Sequence, residues 1–227
     1  MKVGTAIYYD KTNGKYLYTP RNINGNQDFS AILNNSFYLD KSYKHKLSNV
    51  LSYTYIQSVD FSGASEKEYE NKSTVHNSVV SEKMEYMFTS RNTKCIGTIA
   101  PYLTFHRSVS QRLGFESINA FLYGLQASAR IELPASIRFN TELRSESRRG
   151  YNDHSMNDNE LIWNMGLTKS FRNNITLSLN AVDILGQRKN IYKVVTAQAT
   201  TESVSNVLRR HVMFHFIWQF SSKKTNK

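Results

Sequence analysis

Apolar and polar side chains alternate with a period of two along most of the chain. The strongest example covers the fourteen residues 207–220. Its even positions are Leu208, Val212, Phe214, Phe216, Trp218 and Phe220, interrupted once by Arg210, and its odd positions are Arg209, His211, Met213, His215, Ile217 and Gln219. Successive side chains of a strand point to opposite faces, so one face is aromatic and apolar while the other is mixed. At ~3.3 Å per residue the run reaches roughly 45 Å, far beyond an ordinary strand and suited to a tilted crossing of a bilayer.

Ten segments carry this pattern: 3–9, 29–40, 45–59, 79–89, 94–106, 118–132, 136–146, 160–171, 175–181 and 207–220. The cleanest is 136–146, where Ile137, Phe139 and Leu143 oppose Arg138, Asn140, Glu142, Arg144 and Glu146. No segment has a helical period. Connections alternate between tight ones (near Lys41, Arg91, Pro134 and Asn173) and long ones (near Gly63, Gln111, Asn152 and Thr196). The pattern predicts an all-β chain, the portion of an antiparallel up-and-down transmembrane β-barrel with about ten long strands, tight periplasmic turns and long extracellular loops. The barrel portion is expected over residues 1–220, followed by a short basic tail, 221–227. Aromatic residues gather at both ends, with Phe37, Tyr38, Phe88, Phe171, Trp218 and Phe220 by the tight turns and Tyr55, Phe61, Phe105, Phe115 and Tyr151 by the long loops. Two such clusters read as interfacial girdles.

Composition changes this picture little. A mean hydropathy of -0.51 and the lack of any apolar run near ~20 residues exclude a membrane helix, not a barrel whose strands are apolar on one side only. The charge of +11 is spread along the chain, clustering only at Lys223, Lys224 and Lys227, and no nucleic-acid motif accompanies it, so no nucleic-acid partner is expected. The single cysteine, Cys95, excludes an internal disulfide and a cysteine-based zinc site. Residues 1–6 lead into a strand pattern without the apolar core of a signal peptide, so work outside the cytoplasm implies an export signal beyond this sequence.

Candidate chemistry is sparse. Glycines are too dispersed for a phosphate loop, no catalytic constellation stands out, and neither an enzyme activity nor a cofactor is expected. His211 and His215 share a face but lie roughly 13 Å apart, too far for one metal ion, so no metal site is expected. Arg138, Glu142, Arg144 and Glu146 form a mixed-charge row; on a barrel they face the lumen, because an arginine facing lipid at the midplane costs roughly 2–4 kcal/mol. They are candidates for a substrate pathway, with plain lumen solvation as the simpler reading. Loops 62–77 and 187–205 are where an external ligand would first be met.

Several stretches resemble a known family. Pro20-Arg21-Asn22-Ile23-Asn24-Gly25-Asn26 is similar to a loop-then-strand segment, Leu179-Asn180-Ala181-Val182-Asp183-Ile184-Leu185 to a penultimate strand, and residues 210–220 to the closing strand of the outer membrane protein β-barrel family common in Bacteroidetes, at the C-terminal part of TonB-dependent receptors. The resemblance implies a full barrel of about twenty-two strands with an N-terminal plug, neither plug nor earlier strands being in this chain. It implies location in the outer membrane and uptake of a substrate driven by the TonB system, reached indirectly. The implied partners are outer-membrane lipid, the barrel-assembly machinery, and the N-terminal barrel half with its plug. Phe214, Phe216, Trp218 and Phe220 become the barrel-closing and assembly strand; the tail after Phe220 departs from the family pattern, which usually ends near that aromatic. Two alternatives stay open: a small autonomous barrel of about ten strands acting as pore or anchor, and a soluble carbohydrate-binding or adhesive β-sandwich.

Overall fold

The computed structural model describes residues 2–10, 13–63, 72–111, 115–171, 174–188, 191–195, 200–204 and 208–220. The basic tail, the turn residues Arg172 and Asn173 and the centre of the loop after β4 lie outside the described residues. The strands are β1 (Lys2–Asp10), β2 (Lys15–Ile23), β3 (Gln27–Tyr38), β4 (His45–Gly63), β5 (Lys72–Thr89), β6 (Cys95–Ser110), β7 (Ile118–Leu133), β8 (Ile137–Arg149), β9 (Asn159–Phe171), β10 (Ile175–Val182), β11 (Ile191–Val195), β12 (Thr200–Val204) and β13 (His211–Trp218). A short 3-10 helix, His154–Met156, sits between β8 and β9, capped by the Asp153 carboxylate. No helix among the described residues is long and apolar enough to cross a membrane.

Nine strands form one wall in the order β3-β4-β5-β6-β7-β8-β9-β10-β13, each antiparallel to the next. The wall is an open sheet. The β1–β2 hairpin stands at its long-loop end, where β1 meets β4 in parallel at Ile7↔Ser62, and β11 pairs with β12 alone within the last long connection. The segment 3–9 is therefore a strand as expected but lies beyond the wall, and β2 covers residues 15–23, outside the ten segments of the sequence pattern.

Two lengths differ from the alternation. β4 and β5 stay paired from His45↔Phe88 to Phe61↔Lys72, well into the polar stretch 60–77. The ladder is held by backbone groups, which do not need apolar side chains to pair. Conversely β13 is shorter than the run 207–220, because its partner β10 offers only Ile175–Val182.

Register confirms the faces. Leu47, Leu51, Tyr53 and Tyr55 on β4, Phe121, Tyr123, Leu125, Ala127 and Ala129 on β7, and Phe214, Phe216 and Trp218 on β13 all lie on one side. Many of the large apolar residues on that side are exposed: Leu33 55%, Leu167 44%, Phe214 67%. Buried apolar residues number seven among the described residues, so the sheet does not fold around an interior core. Its apolar surface needs an external apolar medium. Cys95 lies on this face opposite Ile131, as a free thiol.

The tight turns concentrate left-handed backbone. Tyr43, Thr93, Ala135, Ser136 and Asn174 have φ between 56° and 62°; such residues match the twist of the strands they join. Asp40 organises the first turn, accepting from the Ser42 hydroxyl and from the backbone N–H groups of Lys44 and His45, both at 2.9 Å. Within the wall, the β5·β6 ladder breaks between Lys83↔Tyr102 and Tyr86↔Ile99, opposite Pro101, which has no N–H to give.

The girdles are visible as ring contacts. At the tight-turn end Tyr38 meets Tyr43 edge-on at 5.0 Å, Trp218 lies 4.2 Å from Phe220, and the Lys169 ammonium sits 5.5 Å from the Phe171 ring. Toward the long-loop end Phe105 and Phe121 are 4.8 Å apart, and Tyr55 hydrogen-bonds His76 at 2.7 Å. The Phe61 side chain lies outside the described ones.

Candidate lumenal face

The opposite side of the wall carries the candidate site. Hydroxyl pairs link neighbouring strands: Ser81–Thr104 at 2.8 Å, Thr98–Ser128 at 2.6 Å and Thr168–Ser178 at 3.1 Å. Such pairs suit a wet surface, where each group can bond its neighbour or water.

Strand β8 places Arg138, Asn140, Glu142, Arg144, Glu146 and Arg148 on this side, a row of roughly 33 Å at ~3.3 Å per residue. The four residues singled out from the sequence share this face but do not pair with one another. Arg138 bonds Glu132 of β7 at 2.6 Å, and Arg130 reaches the same carboxylate at 3.3 Å. Arg144 crosses to Glu160 of β9 at 3.1 Å. Glu146 accepts from Arg148 at 2.8 Å. Side chains in these pairs are 16–49% exposed, so each pair contributes little stability, about 0–1 kcal/mol. Their consequence is geometric: the pairs hold charges of both signs against the wall. Glu142 is exposed.

The sequence reading missed the reach of Tyr102. From β6 its hydroxyl passes over β7 to donate to Glu146 on β8 at 3.2 Å, with the Ser145 carbonyl at 3.3 Å. It crosses at Gly124: a Cβ there would lie 2.6 Å from the Tyr102 hydroxyl oxygen and 2.0 Å from the Ser145 carbonyl oxygen. Gly166 makes similar room for the Asn180 carboxamide, 2.7 Å from its would-be Cβ. A glycine inside a strand signals a close approach, and that was the available clue.

Between these features lies a groove of about 620 Å³, lined among others by Gln126, Ser128, Asn140, Glu142, Asn164 and Asn180. Its polar wall is rich in amides and hydroxyls, with carboxylates at Glu85 and Glu142 and a guanidinium at Arg130. Lys83 reaches over β6 to donate to Gln126 on β7 at 3.1 Å. Among the described residues no group of three His, Cys, Asp or Glu side chains could hold a metal ion. His211 and His215 fall on this face of β13, opposite Val182 and Ser178.

At the rim, Asp183 is fully buried with φ 50° and accepts from the backbone N–H groups of Gln187 at 3.0 Å and Arg188 at 3.1 Å. Its own N–H donates to the Asn164 side chain at 2.9 Å. The Asp that ends the penultimate strand thus anchors the start of the last long connection.

A sheet apolar on its outer side, polar on its inner side, ringed by aromatics and joined by tight turns at one end is the wall of a membrane β-barrel. The family comparison agrees: the model of the outer membrane protein beta-barrel family matches residues 16–218, and the chain belongs to that family. Membership implies an outer-membrane location. No curated protein and no solved structure matches the chain.

Proposed function

We propose that the chain is the C-terminal barrel portion of an outer-membrane receptor that takes up a substrate by TonB-dependent transport, without enzymatic activity of its own. The observation that carries this reading is the lumenal face, polar over the full height of β8 and left open as a wide groove rather than filled by its own side chains. A narrow barrel of eight or so strands fills its interior with side chains, whereas a large one leaves room for a channel or a plug. The resemblance at residues 179–185 and 210–220 supports the receptor assignment. Its partners on this reading are outer-membrane lipid along the apolar face, the barrel-assembly machinery at Phe214, Phe216, Trp218 and Phe220, and an N-terminal barrel half with a plug, through which the TonB system acts.

Deleting the gene and measuring growth on a panel of ferric chelates, corrinoids and oligosaccharides tests the proposal. A defect on one substrate class that deletion of TonB reproduces supports it. A defect independent of TonB favours a passive pore, and normal growth on every class counts against uptake.

A further inference from the structure

One polar cluster interrupts the lipid-facing side of the wall. Glu82 of β5 lies on that side between Leu51 of β4 and Leu103 of β6. Among the described residues it is the only acidic residue on the lipid-facing side of the nine wall strands. Asn49 shares the side, and its carboxamide donates to Glu82 at 2.9 Å. Asn35 of β3 stands directly across from Asn49. Asn35, Asn49 and Glu82 thus make a short diagonal row over three neighbouring strands, with Leu33, Leu51 and Met84 beside it.

The row lies at mid-depth. On β5, Phe88 marks the tight-turn girdle, and His76, bonded to Tyr55, marks the long-loop girdle. Glu82 is six residues from each, roughly 20 Å along the strand at ~3.3 Å per residue. Its carboxyl group therefore faces the middle of the hydrocarbon, where neither water nor a lipid tail can bond it. Within the chain only one of its oxygens is engaged, by Asn49. Asn35 is exposed and has no hydrogen-bond partner among the described residues. A free acceptor and free donors sit side by side in a medium that satisfies neither. Polar side chains so placed hold membrane-spanning segments together.

We infer that this row is a contact surface for a second copy of the chain. Two copies with their long loops outward are related by a two-fold axis along the membrane normal, which sets the row against itself at equal depth. The row is self-complementary: the Asn35 carboxamide brings N–H donors, Glu82 brings a free oxygen, and the axis supplies each contact twice. A different protein would need a matching donor and acceptor at the same depth, whereas a copy has them by symmetry. Leu33, Leu51 and Met84 supply an apolar rim around the polar contacts. The contact is face to face, so it leaves the strand edges untouched, and it is independent of what the barrel transports.

Cysteine cross-linking in the outer membranes of cells producing the protein tests this surface. In a Cys95→Ser background, Leu51→Cys puts a thiol beside the row, and Leu179→Cys puts one on the same lipid-facing side at β10. A short membrane-permeant bis-maleimide should give a dimer-sized band with Leu51→Cys and none with Leu179→Cys. Adding Asn35→Leu, whose side chain bonds nothing within the described chain, should weaken that band roughly tenfold, since each polar contact in a membrane is worth a few-fold and symmetry counts it twice. Replacing Asn35, Asn49 and Glu82 together with leucine should abolish it. Recovery in the outer-membrane fraction reports assembly of each variant, and Asn35→Leu alone decides the matter if the triple variant fails to assemble. Absence of the dimer band with Leu51→Cys overturns the inference, as does an equal band with Leu179→Cys or a cross-link only to a protein of another mass. So does a dimer band unchanged by Asn35→Leu. None of these readouts depends on the growth phenotypes that test uptake.

Discussion

Gly124 is the position where a single methyl group should do most damage. A Cβ there would lie 2.0 Å from the Ser145 carbonyl oxygen on β8 and 2.6 and 2.7 Å from the hydroxyl and ring of Tyr102. The nearest atom is backbone, so Gly124→Ala forces β7 and β8 apart or tilts the strand, and overpacking of this kind costs roughly 1–3 kcal/mol. Tyr102 must also lift away and lose its bond to Glu146. A hydrogen bond to a charged group contributes roughly 1.5–3 kcal/mol, which we discount to about 1 kcal/mol because Tyr102 is half-exposed to the lumen. The two effects together predict a loss of roughly 2–4 kcal/mol for Gly124→Ala and about 1 kcal/mol for Tyr102→Phe. Combining Gly124→Ala with Tyr102→Ala should recover the part due to the ring but not the part due to the Ser145 carbonyl. Urea unfolding in vesicles, followed by the fluorescence of Trp163 and Trp218, measures all four proteins. If Gly124→Ala unfolds within about 0.5 kcal/mol of the unaltered chain, in the range of an ordinary surface change, the crossing of Tyr102 over β7 is not a packing constraint.

Four further outcomes follow from the two faces and the turns. Leu125→Arg, placing a guanidinium toward lipid in the middle of β7, should destabilise by roughly 2–4 kcal/mol, whereas Asn140→Arg on the lumenal face should stay within about 1 kcal/mol; equal costs would mean that the faces are misassigned. Asn49 donates to Glu82 at 2.9 Å on the lipid-facing side, between Leu51 and Leu103. Replacing both residues with leucine should be neutral or stabilising in vesicles, while Asn49→Leu alone, which strands the carboxylate, should cost about 1–3 kcal/mol. The Ser42 hydroxyl, assisted by the His45 and Lys44 N–H groups, lowers the Asp40 carboxyl from 3.8 to about 2. Its folded value is depressed, so its contribution is complete above the unfolded value near 4 and is lost as pH falls toward 2. Amide exchange at Lys44 and His45 should rise across that window, and Asp40→Asn should remove the pH dependence. Finally, Trp218→Ala with Phe220→Ala should lower the yield of assembled barrel in cells more than it lowers stability after refolding, since these aromatics are proposed to be read during assembly.

The period of two made the faces legible from the sequence. Ile137, Phe139 and Leu143 were bound to oppose Arg138, Asn140, Glu142, Arg144 and Glu146 on any strand, whatever its neighbours. The turn chemistry around Asp40, Arg91, Pro134 and Asn173, set against longer polar stretches, likewise fixed which end of the sheet is which. What alternation does not encode is the neighbour. Arg138 finds Glu132 six positions earlier, Arg144 finds Glu160 sixteen positions later, and Tyr102 reaches Glu146 across a whole strand. Those partners depend on ladder register, which backbone pairing and the tight turns set jointly. The strand count was also a tertiary matter: residues 3–9 read as a short strand like those of the wall, yet pairing places them in a hairpin beyond it. That one displacement turns ten into nine. Amphipathic faces follow from side chains alone, whereas direction, neighbours and closure follow from backbone hydrogen bonds between distant segments.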